Sequence, residues 1–211
     1  KNIKLDFKNI GLIHKAYKES LKIIKEFKPD IVIGVGGYVT FPVIMAAHKL
    51  KIKTFLHEQN SIPGKSNKFL IKYADKIGLS FADSSKYFPK DKWILTGNPC
   101  SENAINIKAT SRTKYGLSYD KKSILIVQGS LGSEVINNKM LPFLQSIDNE
   151  PYDVLYVTGK NYYENYSKNK FSKNVKVVPY VENLSSLLKD IDLIITRAGA
   201  STIAEITSLG L

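Results

Sequence analysis

Residues 194–205 read IITRAGASTIAE, and the fold follows from how that stretch changes character. Ile194 to Arg197 make a short run of the kind that fills a buried parallel strand. Ala198, Gly199 and Ala200 then form a turn of small residues. Ser201, Thr202 and Glu205 follow at the start of a helix that the pattern predicts over 200–209. A strand handing over to a helix through a glycine turn is one βα unit.

The same unit recurs along the chain. In the second half, strands are predicted at SILIVQG (123–129), DVLYVTG (153–159) and VKVVPYV (175–181), with helices at 133–146 and 184–190. In the first half, apolar residues at helical spacing over 12–27 predict a helix ended by Pro29. IVIGVGG (31–37) reads as a strand buried on both faces. A helix at 41–50, a strand at KTFLHEQ (53–59), a helix at 65–76 and strands at IGLSF (77–81) and WILTG (93–97) complete it. Strands alternating with helices predict an α/β protein with two Rossmann-like parallel sheets. The expected division is 1–97, a connector at 98–122 with no sustained period, and 123–211.

Composition narrows the classes. The chain has 211 residues, 43% of them hydrophobic, and no apolar run approaches membrane-spanning length. The start, KNIKLDFKNI, has no apolar core of a signal peptide, and with no initiator Met it suggests an internal fragment. A single cysteine, Cys100, excludes an internal disulfide. Residues 1–100 carry 18 lysines against 8 acidic residues, while 101–211 carry 13 basic against 11 acidic, so +10 of the net +12 lies in the first half. Such asymmetry suits an anionic partner, nucleic acid or lipid. Interleaved aromatics or a known RNA module are absent, which disfavours nucleic acid.

In an open parallel sheet, ligands bind outside the carboxyl ends of the strands. Those ends read GVGGYVTFP (34–42), HEQNSIPG (57–64), GNP (97–99), QGSLG (128–132), TGKN (158–161), PYVENL (179–184) and RAGASTIAE (197–205). Glycine, hydroxyl and amide residues gather there, a composition suited to phosphate and sugar hydroxyls. GVGG does not complete G-x-G-x-x-G, because position 39 is Val. No P-loop or serine nucleophile elbow occurs, and His14 and His48 lack the partners of a zinc site. The D-x-D at 190–192 precedes its strand, so it falls at the amino edge, away from ligand. RAGASTIAE carries most. Amides at 200–203 can hold a pyrophosphate or sugar oxygen, and Glu205 can accept two hydrogen bonds from a ribose diol.

Taken together, GVGGYVTFP, HEQNSIPGKSNK, TGNP, QGSLG and TRAGASTIAE resemble the MurG family, bacterial GT-B glycosyltransferases. These add N-acetylglucosamine from UDP-GlcNAc to a lipid-linked muramyl-pentapeptide in peptidoglycan synthesis. The resemblance implies that Asn60 and Ser130 touch the donor, and that the backbone of Val181 pairs with uracil. It places Ala200, Ser201, Thr202, Ile203, Ala204 and Glu205 in the donor loop, with Glu205 on the ribose. Gly36, Gly37, Tyr38 and Ser101 are weaker candidates, and His57 is a candidate base. Departures are Gln128 and Leu131 in the family's GGSQG loop, and Cys100–Ser101 where many members have Arg. The N-terminal Gly-rich loop and a sugar-reading Gln would lie outside these 211 residues. The resemblance implies no metal cofactor, and a peripheral place at the cytoplasmic face of the plasma membrane, against anionic lipid. The rivals are a UDP-sugar epimerase of similar fold, with Glu58 as its one candidate acid, and a non-catalytic basic module binding RNA or lipid.

Overall fold

The computed structural model describes residues 7–129 and 131–211, with side chains from Gly11 onward. The chain divides into two compact units between Asn98 and Pro99. Each holds a four-stranded, all-parallel sheet.

In the first unit, α1 spans Phe7–Phe27 and stops ahead of Pro29. A residue before proline is disfavoured in the helical region. Lys28 ends the helix with a left-handed φ of 52° while its N–H still bonds the Ile24 carbonyl at 2.9 Å. Strands β1 (Ile31–Gly34), β2 (Lys53–Glu58), β3 (Lys76–Leu79) and β4 (Trp93–Leu95) lie side by side in chain order. Helix α2 (Thr40–Lys49) and helix α3 (Lys65–Leu70) make the crossovers. Ile44, Leu56, Leu70, Ile77 and Leu79 form a core from which water is fully excluded. The helix expected over 65–76 is shorter. Ile71–Tyr73 tighten into a 3-10 turn, and Asp75 leaves the helix because its Oδ2 accepts from the Thr54 amide (2.8 Å) and hydroxyl (3.0 Å). Edge pairing to β2 outweighs one more helical turn.

In the second unit the order is β7-β6-β5-β8, with β5 at Lys122–Val127, β6 at Tyr152–Val157, β7 at Val175–Val178 and β8 at Leu193–Thr196. Successive side chains of a strand point to opposite faces. Leu125 and Val127 accordingly join Leu155, Val157, Leu187 and Leu188 on one face, while Ile126 joins Leu144, Val154 and Tyr156 on the other. The first face is covered by α7 (Leu184–Leu188) and α8 (Ala200–Leu209), the second by α5 (Glu134–Ser146).

One expectation is corrected. Neither β1 nor β8 is buried on both faces: Ile33 is 62% and Ile195 41% exposed, each strand being the outermost of its sheet among the described residues. The segment 98–122, expected to have no sustained period, holds regular structure. Pro99–Asn106 form helix α4, and Arg112–Tyr115 a 3-10 turn. This segment is fastened to the second unit: Thr110 Oγ1 pairs with Ser186 Oγ (2.7 Å), and Lys189 Nζ donates to Ile105 O (2.7 Å). Its period is too short and polar to show as a helix in sequence.

The D-x-D motif sits at the amino edge of β8. Asp192 accepts from Arg112 Nη1 (2.8 Å), Lys122 Nζ (2.8 Å) and the Ser123 amide (2.9 Å) and hydroxyl (2.9 Å). The Lys122 ammonium first, then Ser123 and Arg112, hold its carboxyl far below the ordinary carboxylate range. A depressed native value means that the stability this group contributes is complete above its unfolded pKa, about 3.9, and is lost as pH falls through the native one. Asp192→Asn is expected to cost about 1.5 kcal/mol in urea denaturation at pH 7, with the difference from wild type shrinking in acid. A cost independent of pH would contradict the charge-based account.

Candidate functional site

The order β7-β6-β5-β8 contains a topological switch. From β5 the chain moves outward through β6 and β7, then returns to place β8 on the other side of β5. The loops leaving β5 and β8 must diverge there, which opens a crevice at their carboxyl ends. A cleft of about 280 Å³ occupies this place. Its floor is Val127 and Val157, the last residues of β5 and β6. Gly129 follows on one side. The turn after β7 supplies Tyr180, Val181, Glu182 and Asn183, and α7 adds Ser185. Helix α8 closes the cleft with Thr202 and Glu205, three residues apart and so on one helical face.

The chemistry of these walls is mixed. Glu205 is half-buried, and burial pushes its carboxyl up, an effect the buried Ser185 hydroxyl partly offsets. Glycine at 199 precedes α8 without a capping side chain, so the first amides of the helix keep no partner from the helix itself. The expected set of free amides at 200–203 is one too long: Ile203 N–H already donates to the Gly199 carbonyl at 2.9 Å. Helix α5 is tied to the residue after β6 by a buried network. Tyr156 donates to Asn137 Oδ1 (2.7 Å), Tyr166 donates to the Asn137 carbonyl (2.8 Å), and Asn137 Nδ2 donates to Thr158 O (3.1 Å). Burial raises the Tyr156 phenol to about 12, so it stays a neutral donor.

Of the sequence candidates, the structure brings Val181, Thr202 and Glu205 together in this cleft. Ala200, Ser201, Ile203 and Ala204 share the same helix without lining it. Ser130 lies outside the described residues. Ser101 is engaged in holding α4 to α8, its hydroxyl donating to Ala204 O at 3.0 Å.

In the first unit, the remaining candidates form a second grouping at the carboxyl edge of β1 and β2. Gly36 (φ 92°) and Gly37 (φ 82°) turn the chain, and the turn is pinned from the neighbouring loop. Gln59 Nε2 donates to Val35 O (3.1 Å), and Ser66 Oγ to Gly37 O (2.9 Å). Tyr38 stands exposed beside it. Glu58 is 1% exposed and organises the loop that follows: its carboxylate accepts from Asn60 N (2.9 Å) and Nδ2 (3.0 Å), Gly64 N (3.1 Å) and Asn67 Nδ2 (2.9 Å). So Asn60 is oriented by Glu58, and Glu58 is fully committed as an acceptor. His57 is buried, and its Nε2 lies 3.0 Å from the Gly97 carbonyl, an acceptor to which that nitrogen can only donate.

The sequence alone does not single out Glu182, Asn183 and Ser185, although PYVENL reads as a strand end. Nor does it single out Arg197, whose guanidinium lies on Gly129. The switch point that makes this edge special exists only in the strand order.

Two units, each built on a four-stranded parallel sheet and the second with a cleft at its switch point, define a two-domain α/β architecture. The chain belongs to glycosyltransferase family 28: residues 1–79 match its N-terminal domain and 123–211 its C-terminal domain. It is 43% identical, over 99% of its length, to the UDP-N-acetylglucosamine--N-acetylmuramyl-(pentapeptide) pyrophosphoryl-undecaprenol N-acetylglucosamine transferase of Bacillus subtilis, and 43% identical over 98% of its length to that of Leuconostoc mesenteroides. The chain spans 60% and 58% of those two relatives. A crystal structure of MurG from Acinetobacter baumannii superposes with a TM-score of 0.68 at 28% identity, covering 94% of this chain and 55% of that one. A UDP-GlcNAc 2-epimerase from Neisseria meningitidis, bound to UDP-GlcNAc, gives 0.59 at 18% identity over 89% of this chain and 59% of that one, a likeness of fold alone.

Proposed function

We propose that this chain carries the UDP-GlcNAc site of an inverting transferase that moves N-acetylglucosamine onto O4 of a lipid-linked muramyl-pentapeptide. The observation that carries the reading is the convergence of Glu205, Thr202 and the 180–185 turn on the switch-point cleft. In this reading uracil lies against the turn at Val181, and the Glu205 carboxylate accepts from the ribose hydroxyls. The diphosphate lies at the start of α8, where free amides and the helix dipole favour an anion. The muramyl hydroxyl attacks the anomeric carbon, loses its proton to a base, and UDP leaves with inversion. Dipoles already aimed at the diphosphate stabilise the charge that grows on it. In the first unit, Asn60 is oriented by the Glu58 carboxylate.

The first unit is proposed to meet an anionic membrane surface from one side. Among the described residues no helix is long and apolar enough to cross a membrane. Leu12, Ile13 and Ile23 of α1 stand exposed with Val39, around an apolar groove, and the same helix carries Lys15, Lys18, Lys22 and Lys25. Apolar residues for the interface and lysines for the headgroups are the usual pairing of a peripheral contact.

The epimerase reading needs a free acid, and Glu58 is occupied by four donors. Calorimetry on the 211-residue chain tests the proposal: UDP is expected to bind at least about tenfold more tightly than ADP, since purine and pyrimidine edges cannot satisfy the same backbone groups. Equal affinities would sink it. Release of an epimer from UDP-GlcNAc without acceptor would favour the rival.

A further inference from the structure

The chain holds 29 lysines and only two arginines, Arg112 and Arg197. Where lysine is so freely used, an arginine marks a place that needs a planar fork of donors. Arg112 bears this out. It is 11% exposed, and its guanidinium binds Asp192 (2.8 Å), Ser123 Oγ (2.8 Å) and Tyr119 O (3.3 Å). Arg197 has the opposite setting. It follows β8 on the side of the switch point that faces Gly129, and no acidic side chain among the described residues lies within ion-pair distance of it. Its guanidinium lies so near Gly129 that a Cβ there would come within 2.8 Å of Nη2. Gly129 is itself a wall of the cleft, and Arg197 stands three residues before the first turn of α8.

We infer that Arg197 is a binding residue for the diphosphate of the nucleotide sugar, its guanidinium held ready over Gly129 and gripping the phosphate oxygens beside the start of α8. This rests on the donor reading above and adds to it the group that supplies full positive charge. Helix amides offer only partial charge, whereas a guanidinium meets phosphate with two parallel, charge-assisted hydrogen bonds. The glycine at 129 leaves the room that the guanidinium needs. A second cation, Lys160, lies 4.8 Å over the ring of Tyr180, a residue that lines the cleft on the turn after β7, away from the start of α8. It is a built-in control.

The test compares UDP with uridine by calorimetry on the 211-residue chain. Arg197→Gln is expected to weaken UDP about tenfold and leave uridine within about twofold, because only UDP carries the phosphates. Arg197 is exposed, so the melting temperature should not move. UDP binding by Arg197→Gln should also lose part of its salt dependence. Lys160→Gln should leave the ratio of the two affinities unchanged. Equal losses for UDP and uridine in Arg197→Gln, or no loss, would overturn the inference. So would an equal fall of the ratio in Lys160→Gln, which would reduce Arg197 to a diffuse field. Wild-type chain that shows no preference for UDP over ADP would instead fail the donor reading, and the inference with it.

Discussion

Gly132→Ala is expected to destabilise the second unit by about 2–4 kcal/mol. Gly132 has φ 69°, and a Cβ there would overlap the Thr158 carbonyl oxygen. Gly159 (φ 88°) meets it from the other side, since its own Cβ would come within 2.5 Å of Leu131 O and 2.8 Å of Gly132 Cα. Both obstacles are backbone, so no rotamer change relieves them. The Thr158 carbonyl is also fixed by Asn137, itself locked between Tyr156 and Tyr166. The loops after β5 and β6 therefore interlock through two glycines just behind the cleft. Gly37→Ala is the control. It has the same left-handed backbone (φ 82°) but open space around it, so only the conformational penalty of about 1 kcal/mol applies. Urea denaturation that gives both variants the same loss would show that the loops do not meet.

Glu205→Ala is expected to weaken both UDP and uridine by roughly 1–3 kcal/mol, the cost of losing charge-assisted hydrogen bonds to the ribose. The unliganded protein should respond in the other direction. Burial raises the Glu205 pKa above its ordinary value, so the fold favours the protonated form. What this group contributes to stability is present in acid and is lost as pH rises through the native pKa. At neutral pH its carboxylate is a burden on the unliganded fold. Glu205→Gln should therefore melt at the same or a higher temperature at pH 7 while binding uridine less well. Uridine has no phosphate to titrate, so its affinity in the wild type should fall as pH drops through the raised pKa of Glu205, and that dependence should vanish in Glu205→Gln. A pH-independent wild type would place the carboxylate outside the ribose contact.

Much of the architecture was legible because its causes are local. Pro29 ended α1 where expected, and the helix read at 200–209 is the helix found. Glycine, serine and threonine collected at strand ends because turns and N-termini need them wherever the chain goes next. The resemblance of five short motifs then led to the family. The misreadings share one cause. Asp75 left its helix for a partner in Thr54, twenty-one residues earlier. Pro99–Asn106 became a helix docked on α8, with Ser101 bonded to Ala204. Buried-looking strands turned out to be outer ones.

Period, proline and glycine act through neighbours within a turn or two, so the sequence by itself determined the βα alternation, the two parallel sheets and the chemical character of their carboxyl edges. Strand order is a long-range choice that those local preferences do not encode. Only the tertiary structure decided that β8 returns to the far side of β5 and opens the cleft. It alone set Gly132 against Gly159, brought His57 to the Gly97 carbonyl and Glu58 to Asn60 and Asn67, and laid Arg197 across Gly129. Each of these is a meeting of residues far apart in the chain, fixed by packing and burial rather than by spacing.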